Sequence, residues 1–169
     1  MNRRVVVTGM GAVTPLGIGV KALWDGLIHG RSGVGPITQF DASAFSTRIA
    51  AEVKEFDPTD YMDRKDARRM DRFAQFAVAG ARLALSDASI SDNVDWERVG
   101  VLIGSGIGGI HTFEEQCRNL IEKGPDRVSP FFVPMMIPDI ASGQVSILLG
   151  AKGHNACTVT ACASGSHSI

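Results

Sequence analysis

Cysteine is scarce in this sequence: Cys117, Cys157 and Cys162 are the three it has, and no two are spaced as a CxxC pair. So odd and sparse a set excludes a disulfide framework and a structural zinc site, and it fits a reducing cytosol. Net charge is scarce as well. Lys and Arg total 17 against 18 for Asp and Glu, a formal charge of −1, which excludes a generally basic nucleic-acid surface and a polyanionic tail. No uninterrupted apolar run approaches the roughly 20 residues of a membrane span. Asn2-Arg3-Arg4 ahead of apolar residues resembles the start of a signal peptide, but Gly9, Gly11, Pro15, Gly17 and Gly19 break up any apolar core. These absences point to a soluble cytoplasmic protein without nucleic-acid or membrane partners. Glycine, in contrast, is plentiful: 19 of 169 residues, about 11% where roughly 7% is usual. Tight turns and close backbone approaches are therefore expected.

The hydrophobic pattern alternates between strands and helices. Arg4-Val5-Val6-Val7-Thr8-Gly9 is β-branched and ends in glycine, as a buried strand would. Val20, Leu23, Trp24, Leu27 and Ile28 recur at helical spacing, with Gly30 placed to end the helix. Residues 31–47 read as loop and 49–53 as a short strand. The longest helical stretch covers 62–88, with Phe73, Phe76, Ala77, Gly80, Leu83 and Ala84 forming an apolar, small-residue face after Asp71. Ahead of it, Arg64-Lys65-Asp66-Ala67-Arg68-Arg69 is a local cationic cluster in a nearly neutral chain. A strand over 99–103, a helix over 110–122, an irregular apolar loop over 128–138, a helix over 139–149 and a strand over 156–161 follow. The alternation indicates an α/β fold with a mostly parallel sheet and flanking helices. The chain stops as another helix opens, so we expect the N-terminal portion of something longer.

Two segments carry chemical signals. Gly104-Ser105-Gly106-Ile107-Gly108-Gly109 matches G-x-G-x-x-G between a strand and a helix, the form of a dinucleotide-binding turn. The acidic residue that should end a second strand about twenty residues on is missing, because Lys123-Gly124-Pro125-Asp126-Arg127 has no apolar strand leading into it. A glycine loop making room for a close neighbour accounts for the segment better. The stronger signal is Thr160-Ala161-Cys162-Ala163-Ser164-Gly165-Ser166, a cysteine between very small residues at a strand-to-helix junction. Small neighbours allow a sharp elbow that leaves a nucleophile uncovered. A helix start favours thiolate, and backbone N–H groups there can steady an oxyanion. Cys162 is either such a nucleophile or a buried small hydrophobe. Of the histidines, His29, His111, His154 and His167, none is placed by the sequence as a partner for the thiol, and each reads as a surface or capping residue.

Together these segments resemble a known family. Val5-Val6-Val7-Thr8-Gly9-Met10-Gly11-Ala12-Val13-Thr14-Pro15-Leu16-Gly17, the Gly104–Gly109 loop, Ser129-Pro130-Phe131-Phe132-Val133-Pro134 and Thr160-Ala161-Cys162-Ala163-Ser164-Gly165 resemble, in that order and spacing, motifs of the β-ketoacyl-acyl-carrier-protein synthases. The likeness is to the elongating type II enzymes of bacterial fatty-acid synthesis. It implies a thiolase-like fold, of which this chain corresponds to the first half of a five-layered αβαβα arrangement. It implies that Cys162 takes the acyl group as a thioester, with its own backbone N–H as an oxyanion donor. It implies that Ile107 gates the acyl pocket and that Phe132 reaches across a homodimer interface into the partner's pocket. Lys65, Arg68 and Arg69 match a basic patch that receives the acyl carrier protein. No metal or organic cofactor is implied. The two histidines and the lysine that drive decarboxylation and condensation belong to the second half of the family's fold, beyond Ile169. The competing readings are a catalytically inactive fragment that binds a carrier protein or dimerises, and a nucleotide-binding α/β domain.

Overall fold

A computed structural model of the chain describes residues 4–90 and 94–169, so Asn2 and Arg3 of the signal-like start lie outside the described residues. In chain order, β1 (Val13–Thr14) pairs with β2 (Gly17–Ile18), α1 (Val20–Ile28) follows, and β3 (Val34–Pro36) pairs with β4 (Ile49–Ala51). Next come α2 (Arg64–Ala67), α3 (Arg72–Ala88), β5 (Val101–Gly104) and α4 (Ile110–Lys123). The last elements are α5 (Phe132–Met136), α6 (Ile140–Leu149), β6 (Asn155–Thr158) and α7 (Ser164–His167). The two early ribbons are antiparallel, whereas β5 and β6 run parallel with Val101 opposite Asn155 and Gly104 opposite Thr158. A parallel pair with a helical crossover is the signature of the α/β class.

The core lies where α3, α6 and β5 meet. Ala74 and Val78 of α3, Ala141 and Val145 of α6, and Val101 of β5 are buried there, with Met62, Ala67 and Met70 beside them. Small residues let the two helices come close; burying Val78 alone contributes about 1.5–3 kcal/mol. A polar clasp joins α6 to β6: the Ser142 hydroxyl, fully buried, donates to the Asp139 carbonyl at 2.8 Å, and the Asn155 amide donates to the Ser142 carbonyl at 2.9 Å.

Four expectations change. The segment 4–9 forms no strand: Val5 and Val7 are 92% and 79% exposed, and no described strand runs beside them. β-Branching favours an extended chain, but a strand also needs a neighbour to accept and donate its hydrogen bonds. Instead residues 9–11 lie along the small-residue face of α3, where a Cβ on Gly9 would strike the Ala84 carbonyl and one on Gly11 the Gly80 carbonyl. The stretch 62–88 is two helices, broken at Asp71, whose extended backbone (φ −66°, ψ 158°) starts α3 as its N-cap. The Gln75 amide closes the break by donating to the Ala67 and Met70 carbonyls.

The loop 31–47 contains β3, which Gly35 and Pro36 concealed; proline is tolerated in a two-stranded edge. The segment 128–138 contains α5, with Pro134 in its first turn, where a missing N–H costs nothing. By contrast, α1 ends at Gly30 as expected. Gly30 has φ +61°, and the bonds from Gly30 N–H to Leu27 and from Arg31 N–H to Gly26 make a Schellman close.

Candidate active site

β6 ends at Thr158, and the chain turns sharply before α7. Ala161 sits at the turn with φ +50°, a left-handed conformation that costs a non-glycine residue energy. Cys162 follows it in a short 3-10 turn over Ala161–Ala163 and is exposed. The buried-hydrophobe reading of Cys162 is thereby corrected: the elbow lifts the thiol into solvent. Cys117 and Cys157 are both half-buried, in α4 and β6.

Ser164, only 3% exposed, holds the elbow from beneath. Its Oγ accepts the Thr160 N–H at 2.9 Å and donates to the Ala161 carbonyl at 2.7 Å. The hydroxyls of Thr158 and Ser168 converge on the Ser164 carbonyl at 2.8 and 3.0 Å. These contacts fix the first turn of α7 against the end of β6.

The glycine loop packs against the same elbow. A Cβ on Gly104 would strike the Ser164 carbonyl, and one on Gly106 would rest 3.6 Å from Ala161 Cα. On its other side the loop meets the end of α5, where Gly108 takes φ +85° and Gly109 donates to the Met136 carbonyl at 2.8 Å. The loop is therefore a spacer between two backbone segments. Several of the amides around it are also occupied: Gly108 N–H donates to Ser105 Oγ at 3.1 Å, and at the start of α4 the Thr112 N–H donates to Asp71 Oδ2 at 2.8 Å. A pyrophosphate there would face a carboxylate and occupied donors, which disfavours the dinucleotide reading.

The other expected residues lie on separate elements. Ile107, in the loop, is 68% exposed. Phe132, in α5, is half-buried with its ring 6.1 Å from that of Phe113 in α4. Lys65 in α2 and Arg68 and Arg69 just beyond it are exposed, but they are not equivalent. The Arg69 guanidinium stacks 4.8 Å over the Phe131 ring, which ties the cationic cluster to the segment that carries Phe132.

Two of the histidine rings are engaged elsewhere. His29 Nδ1 lies 2.7 Å from the Asp25 carbonyl at the end of α1, and His167 Nδ1 lies 2.9 Å from Thr160 Oγ1. His111 and His154 are exposed, and the His154 carbonyl accepts the Val101 N–H. Among the described residues no cluster of His, Cys, Asp or Glu could hold a metal ion, and no helix is long and apolar enough to cross a membrane.

Sequence reasoning missed Ser164 and Asp71. A signal existed for the first, since a serine three or four residues along from a backbone group commonly bonds back to it. For Asp71 the position ahead of a helix marked an N-cap, but its bond to Thr112, 41 positions away, left no local signal.

Comparison with known proteins gives a consistent set of relatives. The family described as "Beta-ketoacyl synthase, N-terminal domain" matches residues 2–169. A "3-oxoacyl-[acyl-carrier-protein] synthase 2" from Synechocystis sp. (strain ATCC 27184 / PCC 6803 / Kazusa) is 54% identical over 169 residues, covering 99% of this chain and 41% of the relative. The chain thus spans about two fifths of that relative's length. The ishigamide ketosynthase/chain length factor superposes with a TM-score of 0.90 at 32% identity, over 99% of this chain and 42% of its own. A type II PKS acyl-carrier protein in complex with its ketosynthase superposes with a TM-score of 0.83 at 25% identity, over 99% of this chain and 45% of that one. These ketosynthases share the fold, and with it the thiolase-like architecture expected from the motifs.

Proposed function

The chain belongs to the β-ketoacyl synthase family, through that family's N-terminal domain, and from that premise we propose that Cys162 is the nucleophile of an elongating type II β-ketoacyl-acyl-carrier-protein synthase. The observation that carries this reading is an exposed thiol on an elbow with a left-handed Ala161. Strain kept at such a turn is characteristic of groups held ready for reaction.

In the first half-reaction the Cys162 thiol gives up its proton, and Sγ attacks the carbonyl carbon of an acyl thioester on the carrier protein. The tetrahedral intermediate then expels the carrier's thiolate, which takes up a proton. One carbon–sulfur bond forms as another breaks, and no electrons are exchanged. The Cys162 backbone N–H serves as one oxyanion donor. Ile107 gates the acyl pocket, and Phe132 lines the corresponding pocket of a second copy in a homodimer. Exposed Phe131 and Val133 beside it support a contact between copies. Lys65, Arg68 and Arg69 receive the acidic carrier protein, and the enzyme works in the cytoplasm. The second half-reaction is a decarboxylative Claisen condensation with malonyl-carrier protein. It draws on the two histidines and the lysine of the family's second half. No metal or cofactor enters either step.

The test is intact-mass analysis of the native polypeptide after incubation with acyl-carrier protein. We expect one acyl adduct per chain, located on Cys162 and absent in Cys162→Ala. No adduct, or one on another residue, sinks the nucleophile assignment. Carrier binding without any adduct would instead mark a docking module.

A further inference from the structure

We propose that Ser164 is the positioning residue of the nucleophile: its buried hydroxyl holds Ala161 in the left-handed conformation that presents Cys162. This rests on the reading of Cys162 as the acyl-accepting thiol. The hydroxyl spans the elbow from both sides, accepting from Thr160 N–H at 2.9 Å and donating to the Ala161 carbonyl at 2.7 Å. Those two groups bracket the Thr160–Ala161 unit, so the bonds fix the orientation of the peptide planes on which the left-handed turn depends. The φ of +50° at Ala161 is disfavoured for any residue with a Cβ, and it persists only where surrounding contacts over-determine it. Ser164 supplies two of those contacts from one atom. The atom is itself immobile, because Ser164 is buried and its carbonyl is pinned by the Thr158 and Ser168 hydroxyls. A close approach of Gly104 to the same carbonyl prevents the turn from sinking toward β5.

The position of Sγ therefore follows from Ser164 although the two side chains have different tasks. Without the clasp, Ala161 is free to relax to an ordinary negative φ, which swings Cys162 away from the presented geometry. Misplacement of a reacting atom by about 1 Å lowers a rate by as much as a hundredfold. A serine that only stabilised the fold would act differently, reducing the amount of competent protein but not the rate of each competent site.

The experiment measures acyl transfer from an acyl N-acetylcysteamine thioester to the native polypeptide by intact mass, as a function of thioester concentration. Competent sites are counted separately by iodoacetamide alkylation of Cys162. For Ser164→Ala we expect a saturating rate per competent site lowered roughly tenfold to a hundredfold, with the half-saturating concentration unchanged. Ala161→Gly is the second variant, because glycine takes a positive φ without steric cost. In the Ser164→Ala background it should restore most of the lost rate, and it keeps the question answerable if Ser164→Ala alone does not fold. An unchanged rate per competent site in Ser164→Ala, or no recovery on adding Ala161→Gly, overturns the proposal while leaving Cys162 as the nucleophile. If the wild-type chain forms no adduct at Cys162, the nucleophile reading falls and this proposal falls with it.

Discussion

Asp71 and Thr112, 41 positions apart, are joined twice through a single oxygen: Asp71 Oδ2 accepts the Thr112 N–H at 2.8 Å and the Thr112 hydroxyl at 2.7 Å. The other oxygen, Oδ1, faces the Phe73 N–H at 3.4 Å, so one carboxylate caps the starts of both α3 and α4. A negative charge suits both positions, since each helix start presents unpaired N–H groups and a positive dipole end. The joint also fixes the glycine loop, because a Cβ on Gly109 would rest 3.0 Å from Asp71 Oδ2.

Removing that carboxylate should be costly. Asp71→Ala leaves the buried Thr112 N–H and hydroxyl without an acceptor and deprives α3 of its cap, a loss of about 2–4 kcal/mol. Thr112→Val removes one bond and its donor together, so about 1 kcal/mol is expected. Chemical denaturation of both variants and of the double variant gives the coupling, which should be clearly non-zero for residues in contact. Strict additivity would show that the two side chains do not depend on each other.

Acid should loosen the β3–β4 ribbon. Glu52 receives the Thr38 hydroxyl at 2.7 Å and the Thr38 N–H at 3.0 Å, and chiefly the hydroxyl bond, then the backbone bond, holds its carboxyl below the usual glutamate range. A carboxyl whose folded pKa is depressed stabilises the fold fully above its unfolded pKa, and the contribution is lost as pH falls through the folded value. The difference in melting temperature between wild type and Thr38→Val should therefore be largest near neutrality. It should shrink steadily on acidifying below the ordinary glutamate pKa of about 4.3. A difference that grows in acid contradicts the sign.

The cationic cluster should divide by function. Lys65 and Arg68 are exposed, whereas Arg69 is partly committed to the Phe131 ring. If the proposed docking of an acidic carrier protein is correct, charge reversal at Lys65 and Arg68 together weakens that binding at least tenfold at low salt. The deficit should narrow as salt screens both forms. Arg69→Ala should in addition lower stability by about 0.5–1 kcal/mol through the lost stacking. Calorimetric titration at two salt concentrations measures the first effect. Equal losses for neutral and charge-reversed variants at Lys65 would count against an electrostatic patch.

Local rules made much of this fold legible. The helical spacing from Val20 to Ile28, the terminating Gly30, the strand before Gly104 and the small residues around Cys162 each report conditions set within a few positions. Gly35, Pro36 and Pro134 masked β3 and α5 locally, whereas the other two misreadings share a different cause, dependence on a distant partner. Val5-Val6-Val7 has the composition of a strand, yet no described strand lies beside it. The break at Asp71 becomes necessary only once Thr112 is brought to it. In the site, Cys162 was visible because its requirement for small neighbours is local. The clasp by Ser164 was not, since the left-handed Ala161 that gives it meaning appears only when the elbow is built.

Gly104 gives the sharpest test of how the elbow is supported. It ends β5 directly opposite Thr158, and its α-carbon lies so close to α7 that an added Cβ would strike the Ser164 carbonyl and lie 2.7 Å from the Gly165 nitrogen. Neither obstacle is a flexible side-chain tip. Both belong to the backbone of the turn that the Thr158 and Ser168 hydroxyls pin. Gly104→Ala must therefore displace α7 or tear β5 from β6, and overpacking of this kind costs about 1–3 kcal/mol. We expect α7 to yield first, since it is a single turn at the edge of the core whereas β5 is anchored by buried Val101. The variant should thus keep most of its melting temperature but lose the acylation at Cys162 that the proposed function requires, while alkylation of half-buried Cys157, opposite Ile103 across β5 and β6, stays slow. If Cys157 becomes as reactive as Cys162, the strand gave way instead, and the elbow is the stiffer of the two elements.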